Sequence, residues 1–395
     1  MRKHDVIIIG GGPGGSTLAA LLAKQGFDVG IFEREIYPRF HIGESLLPST
    51  MPIFKETGFY ETLDSGKYIR KFGARFIDYR DDDAEIYFGF EEGLNRAIPM
   101  AFEVPRSEFD KDILEHARKC GATVYQPEKV KTVTIGDTKV NVTTNKGEYE
   151  ALYIADASGR DSILGKQFNL RKKNNDLNNV AVFSHFNGVG RLAGKSEGDI
   201  VIGLLPEQSW SWVIPFQGDC TSVGVVCHSN QYKGTHDLHK YLIDSVTSST
   251  RLRYYMKNAE RTGEVTVISN YSHHCESYAG DRWILIGDSA VFLDPIFSSG
   301  VHVSCTSAKL ASGHLTKCLR ENITLTTNGK HERYKAELDK GVQRFHALIS
   351  LFYNSNFVEN MRKTLTRENF RQGFTSAVAG DMWNDDNFIF KMKVL

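Results

Sequence analysis

The chain has 395 residues, with 48 Lys plus Arg against 48 Asp plus Glu and a formal net charge of zero. That balance speaks against a nucleic-acid or acidic-membrane partner, and the length asks for two packed units rather than one core. Six scattered cysteines with no C-x-x-C pair speak against a zinc site or a disulfide frame and fit a reduced, cytoplasmic protein.

The apolar run Val6-Ile7-Ile8-Ile9 is one strand long and stops at glycines, so it reads as neither signal peptide nor membrane span. Gly10, Gly12 and Gly15 then fit G-x-G-x-x-G, with Gly11, Pro13 and Gly14 between them, and Ser16 to Ala23 continues as a helix. Gly10 permits a tight turn, Gly12 lets the backbone approach a pyrophosphate, and Gly15 lets the helix lie against the strand. A second strand, Asp28 to Phe32, ends at Glu33, an acid suited to a ribose 2′-OH. The strand, turn, helix, second strand and terminal acid follow one another as a dinucleotide-binding unit requires.

Arg34 to Pro48 is a loop that turns into a helix near Ser45. Read locally, Arg39, Glu44 and Ser45 are solvated, with Ser45 capping the helix. Lys71 to Phe76 begins a strand and Ala84 to Phe90 is its hairpin partner. Phe102 to Arg106 leads into an amphipathic helix, Glu108 to Lys119, with Phe109, Ile113, Leu114 and Ala117 inward and Gly121 at its end. Short strands at 122–125, 130–135 and 139–144 make a small antiparallel unit. Leu152 to Ala155 returns as a buried strand ending in Asp156-Ala157-Ser158-Gly159. Strands follow at 180–186, 199–205, 210–215 and 221–227, then one long helix from His236 to Ala259. Arg282 to Ile286 is another buried strand, entering Gly287-Asp288-Ser289-Ala290. Leu293 to Gly300 is a turn, Val301 to Leu319 a helix, and Lys330 to Leu395 mainly helical.

The segments Gly10 to Gly15, Asp156 to Gly159 and Gly287 to Ala290 together resemble the flavin-dependent aromatic hydroxylase superfamily. The resemblance implies an α/β fold: an FAD-binding Rossmann-like domain of the aromatic hydroxylase/glutathione-reductase type, a second β-sheet substrate domain and a C-terminal helical segment. The corresponding boundaries are 1–70, 101–170 and 271–325 for FAD, 71–100 and 171–270 for the substrate side, and 326–395 for the helices. It also implies that Glu33 meets the adenosine ribose, Asp288 the ribityl chain and Arg106 the flavin. Gly10, Gly12, Pro13, Gly14, Gly15, Arg39, Ser45, Gly300 and Val301 complete the expected FAD contacts.

Two stretches narrow the family. Trp210-Ser211-Trp212-Val213-Ile214-Pro215 reads W-x-W-x-I-P and resembles the signature of the flavin-dependent halogenases. Asp294-Pro295-Ile296-Phe297-Ser298-Ser299-Gly300 resembles their halide-binding loop, and Lys71 before Phe72-Gly73-Ala74 sits where they carry a catalytic lysine. Tryptophan-type members have glutamate where this chain has Phe297, which resembles instead the branch acting on phenols and pyrroles.

The implied reaction starts from FADH2 and O2, whose flavin hydroperoxide oxidises chloride or bromide to hypohalous acid. Lys71 would relay that acid to an electron-rich phenolic or pyrrolic ring, free or tethered to a carrier protein. On the residues alone, Lys71 reads as a surface lysine, and the N–H groups of Ser299 and Gly300 suit water as well as an anion. The resemblance makes Ser299 and Gly300 the halide site and Trp210, Trp212, Ile214, Pro215 and Phe297 the active-site wall. His302, at a helix start, fits a structural role better than one orienting a group near the flavin, and His273-His274 lacks a partner set for a metal. A separate flavin reductase is expected, since there is one dinucleotide fingerprint. An NAD(P)H-dependent aromatic hydroxylase and a geranylgeranyl-reductase-like flavoenzyme are the alternatives.

Overall fold

The first strand, Arg2–Ile9, runs parallel to Glu148–Asp156 on one side and Val29–Phe32 on the other. Strands covered on both faces read as unbroken apolar runs, which is why Val6 to Ile9 shows no alternation. The computed structural model describes residues 2–391 apart from 96, 98, 174–177, 233, 235, 236, 270–272, 355 and 356. The sheet order is Ala279–Gly280, Trp283–Leu285, Glu148–Asp156, Arg2–Ile9, Val29–Phe32, Thr123–Tyr125. Thr123–Tyr125 pairs parallel with Val29–Phe32 and so belongs to this sheet, not to the small antiparallel unit that the sequence suggests. Tyr125 stacks on Phe32 at 4.6 Å between ring centres, a contact that local pattern cannot announce. Val130–Ile135 and Val140–Thr144 do pair antiparallel, and the latter joins Glu148–Asp156.

A second sheet runs Glu260–Arg261, Asn179–Asn187, Thr221–His228, Trp210–Pro215, Ile200–Leu204, Gly73–Asp78, Asp81–Gly89. Alternation along Trp210–Pro215 sends Trp210, Trp212 and Ile214 into the core shared with the first sheet, and Val213 into a separate core on the far face. That far face is covered by two helices, Leu238–Val246 and Thr250–Tyr255, where the sequence suggests one from His236 to Ala259. Residue 236 lies outside the described residues. The break falls in Thr247-Ser248-Ser249-Thr250, whose side chains compete for backbone groups, and the Ser249 hydroxyl accepts from the Leu252 N–H at 3.3 Å.

Lys71 is not on the strand that follows it. Ile69–Lys71 pairs with Ala101–Glu103, whereas Gly73–Asp78 pairs with Asp81–Gly89. Between them the Phe72 N–H donates to Asp199 Oδ1 at 2.8 Å. The last helices, Lys330–Asn354, Phe357–Thr364 and Glu368–Val378, pack Phe352 and Phe357 against Phe76 and Phe297. No described helix is long and apolar enough to cross a membrane.

Candidate active site

The parallel strands end at one cavity of about 660 Å³, which extends from the glycine turn to Trp210 and Trp212. Such an opening at the carboxyl ends of a parallel sheet is where this architecture receives ligands. Gly10 has φ +100°, and a Cβ there would lie 2.4 Å from the Ala157 carbonyl oxygen. A Cβ on Gly12 would meet nothing within 4 Å, so the turn presents bare backbone to open space. Pro13 opens the helix Pro13–Ala23, whose first N–H groups have no partner within the helix.

Glu33 lines this cavity and is already engaged on its other side. It accepts the N–H of Gly11 at 2.8 Å, the N–H of Glu35 at 2.8 Å and the Tyr37 hydroxyl at 3.1 Å. A carboxylate has about four acceptor positions, so room for one more donor remains. Arg106 begins the helix Arg106–Lys119, two residues before the expected start. Its guanidinium forks onto Asp110 at 2.7 and 3.0 Å and donates to the Ile42 carbonyl at 2.6 Å. Arg39 reaches the same Asp110 at 3.2 Å, so the 39–45 loop is pinned by one buried carboxylate. Asp110 escaped the sequence reading, although Arg and Asp four apart on a helix are a readable pair. Asp288 lines the cavity, its carboxyl pushed up to about 6 by burial against the pull of Arg160 and Arg106.

Ser45 is not a helix cap, because the next helical turn starts only at Pro48. Its hydroxyl donates to Glu103 Oε1 at 3.0 Å and accepts from Lys71 Nζ at 2.8 Å. Lys71 is 1 % exposed, donates also to the Leu46 carbonyl at 3.2 Å, and sits 5.3 Å over the Phe90 ring. Ser45 lines the cavity, and Lys71 stands behind it. Burial lowers the Lys71 amine despite Glu103 and Asp199, and the same burial pushes Glu103 up to about 8 despite Lys71 and Ser45. Glu103 Oε2 makes no hydrogen bond among the described residues. Glu103 has no sequence signal of its own, since only the pairing of Ile69–Lys71 with Ala101–Glu103 brings it near Lys71.

Beside this group Glu44 is buried and Oε1 lies 2.9 Å from His185 Nε2. Burial opposes a charged His185, yet the hydrogen bond and charge of Glu44 raise it above its ordinary value.

At the other end, Asp294 caps a short turn and Ser298 adopts φ +54° immediately before the helix Ser299–Glu321. Ser298, Gly300 and Val301 line the cavity, and a Cβ on Gly300 would again meet nothing within 4 Å. The N–H groups of Ser299 and Gly300 belong to the first helical turn and lack intrahelical acceptors. Ser299 Oγ is buried with no hydrogen bond among the described residues. Trp210, Trp212 and Ile214 line the cavity too, with the Trp212 indole N–H donating to Ser222 Oγ at 3.0 Å. Pro215 and Phe297 are not on its lining, and Phe297 is buried among Phe76, Phe352 and Phe357. His302 lies elsewhere, paired with Thr50 Oγ1 at 2.9 Å and packed edge-on against Phe345 and Trp383. Burial holds it neutral, its value lowered to about 4.

The chain matches the model of the FAD binding domain family over residues 3–344. It is 34% identical to the 1H-pyrrole-2-carbonyl-[peptidyl-carrier protein] chlorinase of Pseudomonas fluorescens over 94% of this chain and 89% of the relative. It is 32% identical to the flavin-dependent halogenase armH3 of Armillaria mellea over 81% of this chain and 68% of that protein. Among solved structures, the flavin-dependent brominase Bmp2 superposes with a TM-score of 0.88 at 27% identity, covering 99% of this chain and 98% of its own.

An open glycine turn, a helix N-terminus and a buried acid on one cavity fit a bound FAD, and the chain belongs to the flavin-dependent halogenases of the FAD-binding fold. It is thus an FAD-binding oxidoreductase of the halogenating class.

Proposed function

We propose that this enzyme installs chlorine or bromine on an electron-rich pyrrolic or phenolic ring, presented free or on a carrier protein. The carrier-tethered pyrrole is favoured by likeness to the Pseudomonas chlorinase, whose name states that substrate and which aligns with almost the whole chain. Reduced FAD would come from a separate reductase, and six free cysteines suit the cytoplasm. In the proposed division, residues 1–70, 101–170 and 271–325 hold the flavin, and 71–100 with 171–270 face the ring.

Bound reduced flavin supplies, with O2, the oxidising equivalent that turns halide into hypohalous acid. The chain does the rest. Gly12 and the first turn of Pro13–Ala23 receive the pyrophosphate, Glu33 the ribose and Asp288 the ribityl chain. The N–H groups of Ser299 and Gly300 seat the halide. Trp210 and Trp212 keep the ring away from the flavin, so that no oxygen is transferred to it directly. Lys71 then acts on the hypohalous acid, with Ser45 as the hydroxyl between the amine and the cavity.

The observation that carries this reading is the buried Lys71 amine held against the cavity wall by Ser45 at 2.8 Å. A direct oxygen transfer has no use for such an amine, whereas a small diffusing oxidant needs a group to hold and aim it. The test is turnover with FAD, a reductase, bromide or chloride, and free and carrier-tethered pyrroles and phenols. Mass spectrometry is expected to find halogen in the product. Product carrying added oxygen and no halogen would return the hydroxylase.

A further inference from the structure

Tyr353 lies on the C-terminal helix Lys330–Asn354, remote in sequence from every motif discussed above. Its hydroxyl accepts the indole N–H of Trp210 at 2.8 Å and an amide hydrogen of Asn179 at 3.2 Å. The same hydroxyl donates to Asp294 Oδ2 at 3.2 Å. A phenol has one donor and two acceptor positions, so these three bonds use all of them. Asp294 also accepts from Asn179 at 2.8 Å and, through Oδ1, from the Ile296 N–H at 3.1 Å. One oxygen atom therefore joins a residue of the tryptophan wall to the carboxylate that shapes the 294–300 turn.

We propose that Tyr353 is a positioning residue for halogenation, fixing the spacing between Trp210 and the turn that offers the Ser299 and Gly300 N–H groups. The inference rests on the seating of halide at that turn proposed above. Tyr353 touches neither substrate nor flavin in this role. It holds Trp210 in one rotamer and Asp294 in one orientation, so the first N–H groups of Ser299–Glu321 meet the halide at a set distance from the wall. Without the hydroxyl, the Trp210 N–H is left buried with no acceptor and Asp294 Oδ2 loses a donor. Trp210 then has no acceptor to hold its rotamer, while Asp294 keeps Asn179 and the Ile296 N–H but loses its tie to the wall, so the spacing between wall and turn is no longer fixed. The ring itself contributes separately, meeting Phe352 edge-on at 5.2 Å between centres, and phenylalanine keeps that contact.

Tyr353→Phe in the full-length FAD-loaded enzyme is the test, with Trp210→Phe, the double variant and Gly300→Ala beside it. Halide KM is expected to rise about three- to tenfold in Tyr353→Phe, the loss of one buried hydrogen-bonded link. kcat at saturating halide should stay within about twofold and flavin affinity should not move, because the ring and the FAD contacts remain. Halogenated product per FADH2 consumed should fall at low halide, with peroxide making up the difference. The double variant is expected to be no worse than the poorer single one, since both break the same link. Gly300→Ala adds a methyl group into open space beside both the expected halide and the expected flavin, so a raised halide KM with flavin affinity unchanged is what reports halide at the turn. A raised KM in Gly300→Ala with an unchanged Tyr353→Phe overturns the role of Tyr353. A raised KM and non-additivity in the Tyr353 and Trp210 variants with a silent Gly300→Ala keep that role and overturn the halide seat. Equal loss of flavin affinity, kcat and coupling in Tyr353→Phe would mean a merely structural residue and overturn the proposal.

Discussion

Lys71, Ser45 and Glu103 form a chain of donors in which the amine donates to the hydroxyl and the hydroxyl to the carboxyl. Burial draws the outer two toward their neutral forms, lowering Lys71 and raising Glu103 to about 8. A neutral amine is the better partner for an electrophilic halogen, and a site from which water is excluded makes it cheaply. Lys71→Met keeps the volume and removes the nitrogen. Halogenation is expected to fall at least about 100-fold while peroxide release and FAD binding persist, as for loss of a positioned proton-transfer or nucleophilic group. Thermal stability should fall by about 1–3 kcal/mol, because Ser45 Oγ and the Leu46 carbonyl each lose a buried donor. Parental rates of halogenation in Lys71→Met would remove the residue from the mechanism. The linkage of Glu103 to stability has a definite sign. Its native value lies above its ordinary 4.5, so the folded chain binds that proton more tightly and loses stability as pH rises from 4.5 to about 8. Glu103→Gln should therefore gain on the parent across that window, and a pH-independent difference in melting temperature would contradict the assignment.

At the scale of elements, much was legible because strands and turns carry their reasons locally. The glycine turn, Asp28 to Glu33 and the alternation in Trp210–Pro215 each state a requirement that only one local geometry meets. The misreadings have equally physical causes. Ser45 reads as a cap because a hydroxyl before Pro48 suits one, and its true partners come from strands 26 and 58 residues away. The single helix from His236 to Ala259 fails because four consecutive Ser and Thr residues offer the backbone other partners. Ser249→Ala removes the cap of Thr250–Tyr255 and should cost about 1 kcal/mol locally. Hydrogen exchange at the 252–256 amides should accelerate, and unchanged protection there would show the cap to be idle.

Over the whole molecule, the two sheets meet at one cavity, and most of its lining comes from segments the sequence marks as motifs. What stayed hidden was what sits behind those segments. Glu103, His185 as the partner of Glu44, and Tyr353 are placed by pairing and packing between distant stretches, whereas Asp110 does carry a spacing, four residues from Arg106 on one helix. The C-terminal helices carry no motif, yet their aromatic residues seat Phe297 and their Tyr353 reaches the cavity wall.

The strand Trp210–Pro215 has neighbours hydrogen-bonded along both edges, Ile200–Leu204 on one and Thr221–His228 on the other. A partition built on such an interior strand cannot swing like a gate without tearing two ladders. In the proposed reaction the indoles it carries therefore stand at one fixed place in the cavity, and the ring must come to rest against them rather than push them aside. Choice of ring then belongs to the shape of an immovable surface, and trimming Trp210 or Trp212 should retune which rings are accepted.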